Sequence, residues 1–332
     1  MCSVLLEDSS YREDYENAWL SPSKCIELID AISQTCPNIE TPEIFAHEDD
    51  DEDQAKYNVL CEKVAEFHSL RSLSFGGARA GETLFRAFGR LLHLESLSLV
   101  SDRCQAVPDE KSLVTLSDDS FPVLQRLALR RLHPDIITRV YDSPQLFHRL
   151  VSAEIIYDDN CYDGYKSYQH RSAMRCLSHG CSNLANLSIF TKGNAGDFCV
   201  FRRFILIFKQ LPLRRLRICS VELNPELKFL VEEEDLEEND PKITWEGFFA
   251  ALPHLEELEL GNPFQIRDLV VLADSLPKLR YFSPATIQAK KTRRALNSTT
   301  RLTMTQPIII CCDYAQYKYA NELAERMSKV AR

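Results

Sequence analysis

A short phrase with leucine or a similar apolar residue at relative positions one, four and six recurs about nine times along this chain of 332 residues. Such a recurrence limits the possible folds more sharply than composition does, because each copy has to be one structural unit stacked on its neighbours. The clear copies begin at Leu70, Leu94, Leu124, Leu184, Leu213 and Leu255 and read LRSLSF, LESLSL, LQRLAL, LANLSI, LRRLRI and LEELEL. Three worn copies run from Ile39 to Ile44, Leu150 to Ile155 and Leu279 to Pro284. Successive first positions lie 31, 24, 30, 26, 34, 29, 42 and 24 residues apart. Every interval is long enough for one strand and one crossover segment.

The last three residues of the phrase alternate apolar, polar, apolar, as a strand does when one face is buried and the other is wet. Helical spacing follows between the phrases, over Gln54–Phe67, Glu82–Leu92, Tyr165–Leu177, Asp197–Leu211, Trp245–Leu252 and Ile266–Leu276. Strand and helix in alternation predict an α/β solenoid of irregular repeats, with a curved parallel sheet on the concave side and helices on the convex side. The competing reading takes the phrase as one stretch of amphipathic helix. Against it, Pro37, Pro122, Pro212, Pro253 and Pro277 stand just ahead of five copies, where proline ends a helix and lets a new element begin. The expected organisation is a helical cap over residues 1–38, a solenoid of about nine units over 39–285, and a carboxy-terminal cap over 286–332. That last cap holds the basic linker Lys290 to Arg294 and a terminal helix from Asp313 that buries Tyr317, Leu323 and Met327.

The units LPHLEELELGNPF, LPKLRYFSP, FPVLQRLALRRL and CPNIETPEI resemble the leucine-rich repeats of fungal F-box-like proteins. The likeness covers roughly residues 24 to 285. It implies a leucine-rich-repeat solenoid that selects substrates for a cullin-type ubiquitin ligase, with a cullin-ligase adaptor as second partner if an F-box-like segment exists. Two departures stand out. The asparagine expected three residues after the phrase is missing from every copy, so other polar groups or water must satisfy the turns. No F-box is recognised in the first 38 residues, which lack its Leu-Pro-rich adaptor-binding pattern.

Charge and cysteine content narrow the function. A net charge of −10 argues against nucleic acid, whose binding needs clustered Lys and Arg to displace counterions. The longest apolar runs fall far short of the roughly 20 residues that cross a bilayer, and the amino terminus lacks the pattern of a secretion signal. The 12 cysteines are spread through the chain, often where another repeat has Leu, Ile or Val. They read as reduced core thiols of a cytoplasmic or nuclear protein.

Three features test for chemistry. Gly76 to Thr83 follows a strand and opens a helix, as a phosphate-binding loop does, but Glu82 stands where such a loop needs lysine and would repel the phosphates. A glycine-rich turn is the expectation. Cys161, His170, Cys176, His179 and Cys181 cluster in sequence without the paired spacing of a tetrahedral zinc site. His68, His93 and His254 are placed by the repeat, one or two residues ahead of a phrase. No cofactor and no metal is expected, and no residue has the local context of an activated nucleophile. The acidic runs 47–53 and 232–240 read as surface loops kept open by self-repulsion.

Positions three and five of each phrase should line the concave wall. There the sequence places Thr41, Glu43, Ser72, Ser74, Ser96 and Ser98, then Arg126 with Arg130 beyond it, Glu154, Asn186, Arg215, Arg217, Glu257, Glu259 and Tyr281. A polar wall with basic and acidic sectors suits a protein ligand of matching polarity, with Arg126, Arg215 and Arg217 meeting an acidic segment. The expected function is a non-catalytic recognition scaffold. A stand-alone inhibitor or sensor of the ribonuclease-inhibitor-like type is the alternative, and a hydrolase with an unrecognised site a distant third.

Overall fold

The structure is a computed structural model. It describes residues 3–6, 20–46, 53–77, 82–101, 116, 119–132, 134–142, 148–158, 176–177, 181–192, 208–220, 245–288 and 309–310. Among them no helix is long and apolar enough to cross a membrane. The chain forms two compact units, Met1–Asn183 and Leu184–Arg332.

In the first unit six strands, β1 (Ser3–Leu6), β2 (Thr41–Phe45), β3 (Ser72–Gly76), β4 (Ser96–Val100), β5 (Arg126–Arg130) and β6 (Ser152–Asp158), lie side by side in chain order. Each pairs in parallel with the next. The crossovers carry α1 (Pro22–Thr35), α2 (Asp53–Val64), α3 (Glu82–Gly89) and α4 (Pro134–Tyr141). The second unit repeats the plan with β7 (Asn186–Lys192), β8 (Arg215–Ser220), β9 (Glu257–Gln265), β10 (Tyr281–Gln288) and β11 (Ile309–Ile310), again parallel and in order. Its described helices are α5 (Trp245–Ala250) and α6 (Ile266–Ser275).

Each phrase becomes the entry to a strand, and all three of its apolar positions are buried in all nine copies. That includes the worn ones, where Pro42, Ala153 and Pro284 occupy sites that elsewhere hold leucine, isoleucine or phenylalanine. The reading of the phrase as helix is thereby excluded. Pro284 sits at the register shift between β9 and β10, a place where a strand can spare an N–H. This arrangement is a leucine-rich-repeat solenoid of α/β class.

The helices cover one face of each sheet. In the first unit Phe75 of β3 meets Tyr57 of α2 and Phe88 of α3 edge to face, with ring centroids 5.3 and 5.0 Å apart. Burying such rings away from water contributes about 1.5–3 kcal/mol each. Helix α4 was not anticipated. Its apolar residues Ile136, Ile137, Val140 and Tyr141 are buried on one side at i, i+1, i+4 and i+5, and Pro134 opens it where a missing N–H costs nothing. The stretch expected as a helical cap contributes α1 and also β1, which adds a strand ahead of the first phrase. At the other end Ile309 and Ile310 pair with Tyr281 and Phe282.

The proline ahead of the phrase does more than stop a helix. Leu124 N–H donates to Phe121 C=O, Leu255 N–H to Leu252 C=O and Leu279 N–H to Leu276 C=O. Pro122, Pro253 and Pro277 therefore sit second in a four-residue turn, where their fixed φ is already suitable. That turn delivers the first leucine into the core.

Main-chain hydrogen bonds replace the missing asparagine ladder. Beyond the strands of the first unit, Ala46, Gly77 and Ser101 each donate their N–H to the carbonyl of the last residue of the next strand, at 3.1, 3.0 and 3.0 Å, and Arg131 donates to Ile156 C=O within β6 at 2.7 Å. Before the strands, one carbonyl accepts two N–H groups from the following repeat. Glu40 C=O receives Arg71 and Ser72, Arg71 receives Glu95 and Ser96, Glu95 receives Gln125 and Arg126, and Gln125 receives Val151 and Ser152. Ala185, Arg214 and Glu256 do the same in the second unit. At these joins the backbone groups of neighbouring repeats satisfy one another.

Candidate functional site

With one face of each sheet packed on helices, the other is lined by positions three and five of the phrases, and it is half-buried or exposed throughout. Parallel pairing sets these residues in rows across the first unit. One row runs Ser72, Ser96, Arg126, Ser152, and the next runs Glu43, Ser74, Ser98, Ala128, Glu154. A third row, not foreseen from the phrase, runs Phe45, Gly76, Val100, Arg130, Ile156. The Phe45 ring lies against Gly76, where a Cβ would stand 2.3 Å from it. In the second unit the rows are Asn186, Arg215, Glu257, Tyr281 and Ser188, Arg217, Glu259, Ser283.

The charges on this face are mostly spent on one another. Arg215 meets Glu257 at 3.0 Å and Arg217 Nε meets Glu259 Oε2 at 2.6 Å. Arg130 Nε meets Glu154 Oε1 at 2.7 Å. Just before the strands, Arg71 pairs with Glu95 at 2.8 Å and Arg214 with Glu256 at 3.9 Å. Arg217 also lies over the Phe190 ring, 5.9 Å from its centroid, a distance at which the ring quadrupole attracts a cation. Glu43 and Arg126, both exposed, make no ion pair among the described residues.

The expected contact residues therefore all fall on the open face or its rim, but in different states. Arg126 is available, whereas Arg215 and Arg217 are already neutralised by the next strand. The signal for this was present in the sequence. RRLR at 214–217 and EELE at 256–259 occupy the same phrase positions of consecutive copies, and stacked copies bring equal positions together.

The motifs weighed for chemistry resolve into structure where they are described. Gly77 has φ +91, and a Cβ there would lie 1.3 Å from Ala46 O. Its glycine is required by a close approach of two backbones, while residues 78–81 lie outside the described residues. Of the cysteine and histidine cluster, Cys161, His170 and His179 also lie outside them. Cys176 directs its Sγ to Asp142 Oδ1 at 3.7 Å. Burial, with a smaller contribution from Cys176, pushes the Cys181 thiol up to about 12, so it stays protonated at neutral pH. Burial likewise raises Cys25 to about 11. Among the described residues no group of three or more His, Cys, Asp or Glu could hold a metal. His254 Nδ1 lies 3.3 Å from Lys278 Nζ on the neighbouring turn. The runs 47–52, 232–240 and 290–294 and the terminal segment from Asp313 are outside the described residues.

No family model matches the chain, and no curated protein sequence does. Solved structures show a distant similarity. A protein from Bacteroides fragilis is 16% identical with a TM-score of 0.45, covering 87% of this chain and 82% of its own. An internalin from Listeria monocytogenes is 15% identical with a TM-score of 0.40, covering 85% and 69%. Human 5T4 (Wnt-activated inhibitory factor 1, trophoblast glycoprotein) is 20% identical with a TM-score of 0.40, covering 66% and 70%.

Proposed function

We propose that the chain is a non-catalytic recognition scaffold that binds a protein partner on the open face of its sheets. A single observation carries this. Positions three and five of all nine phrases point away from the core, and Ala128 alone among those eighteen residues lacks a polar group. A strand face that no described helix covers, polar yet built on a regular ladder, offers preorganised contacts at little entropic cost. Its mixed charges favour a partner of matching polarity, by orientation and encounter rate more than by raw affinity.

The resemblance of the repeats supports a class of partner. We take the chain to be the substrate-selecting part of a cullin-type ubiquitin ligase, with its substrate on the open face and an adaptor bound elsewhere. A stand-alone inhibitor of the ribonuclease-inhibitor-like kind uses the same face. Affinity capture with the full chain, followed by mass spectrometry, separates the two. Cullin adaptors in the eluate support the first, and one stoichiometric enzyme supports the second. In either case Ser96→Arg, which places bulk on the wall without touching the core, should remove the protein held there. If that variant and Ser188→Arg both retain every captured protein, the open face is not the binding surface.

A further inference from the structure

Eight charged residues occupy the five described rows of the two units, and six of them form three ion pairs: Arg130 with Glu154, Arg215 with Glu257, and Arg217 with Glu259. The two that stand apart are Glu43 on β2 and Arg126 on β5. They are opposite in sign and separated by β3 and β4, whose open face carries Ser72, Ser74, Ser96 and Ser98 in register. Among the described residues each charge thus lacks the neutralising neighbour that its counterparts have, and between them the floor is neutral and low.

We infer that an extended segment of a protein partner lies across β2 to β5, with a basic side chain on Glu43, an acidic one on Arg126, and small neutral residues over the serines. The inference rests on the reading of the open face as a binding surface, and adds the place and the chemistry of the occupant. Three inter-strand spacings and an offset of two residues along the strand put the two charges about 16 Å apart, which an extended chain spans in about five residues. The Ser98 hydroxyl oxygen is enclosed, without a hydrogen-bond partner among the described residues. The floor therefore supplies close approach, not strong anchoring, and the two flanking charges fix position. Glu43→Lys or Arg126→Glu replaces an attraction with a repulsion at one end of the segment. The opposite end stays engaged, so each single change weakens binding without abolishing the surface. The boundary on one side is firm, because Phe45 lies over Gly76 and Arg130 is held by Glu154.

The test uses the full chain and a displayed library of random linear peptides. Selected peptides are expected to carry Lys or Arg and Asp or Glu separated by about five residues, with Gly, Ala or Ser between them. Arg126→Glu should weaken the best peptide at least tenfold, and exchanging the peptide's acidic residue for lysine should restore binding to that variant. Ser74→Arg should remove binding while the melting temperature holds, since the side chain points away from the core. Peptides that bind on the open face of the second unit, sensitive to Arg215→Glu but not to Arg126→Glu or Ser74→Arg, overturn this inference and leave the broader reading standing. Peptides insensitive to every substitution on either open face overturn both. Failure to select any peptide overturns the inference.

Discussion

Gly77 shows how a single residue can hold two repeats at the right distance. Its left-handed backbone and the 1.3 Å approach of a built Cβ to Ala46 O leave no room for a side chain, while its N–H donates to Val100 C=O. Gly77→Ala has to move β2 or β3, and strain of this kind costs about 1–3 kcal/mol. Urea denaturation should show that loss, in contrast to Ser96→Ala, which stays within about 0.5 kcal/mol as a surface change. An unchanged midpoint for Gly77→Ala would mean that the turn relaxes freely. The glycine pair was visible in the sequence, but its purpose was not. A sequence can show that a turn needs glycine, whereas the approach of the preceding repeat's carbonyl exists only after stacking.

Pairs of strands are where reading from sequence gained and lost most. The burial of Leu127, Leu187 and Leu258 follows from phrase position alone, because a period-two strand with one face packed has only one register that works. Helices α2 and α3 follow from spacing in the same way. Strands β1 and β11 did not, since four and two residues carry no period and their pairing is set by the strand beside them. Arg215 and Arg217 lie in the rows that their phrase positions imply, whereas their pairing with the next strand depends on how consecutive phrases stack and not on any one phrase. That pairing changes the expected effect of mutation. Arg215→Glu with Arg217→Glu sets like charges opposite Glu257 and Glu259, so the change is not thermally silent. Exposed pairs of this kind couple by about 0.2–1 kcal/mol each. The double reversal should lower the melting temperature by a few degrees, and adding Glu257→Arg with Glu259→Arg should return it. If the fourfold variant melts no higher than the double one, the pairs contribute nothing between β8 and β9.

Across the whole molecule, stability is a sum of repeats and their nearest-neighbour joins. Leu127→Ala, at a fully packed site in β5, should cost about 2–5 kcal/mol. Hydrogen exchange should locate the loss in β4, β5 and β6 before β2, because those are the strands joined to the damaged unit. Equal acceleration in β2 would show instead that the first unit opens as one cooperative block. The backbone joins ahead of each strand have a wider consequence. Neighbours are fastened by carbonyl and amide groups that every residue possesses, at a point the chain reaches only after its crossover is complete. The crossover is therefore free to grow or shrink, and here consecutive units range from 24 to 42 residues without any change in how they meet. A lineage carrying this fold can try new outer loops one at a time, keeping the inner wall and whatever it recognises intact.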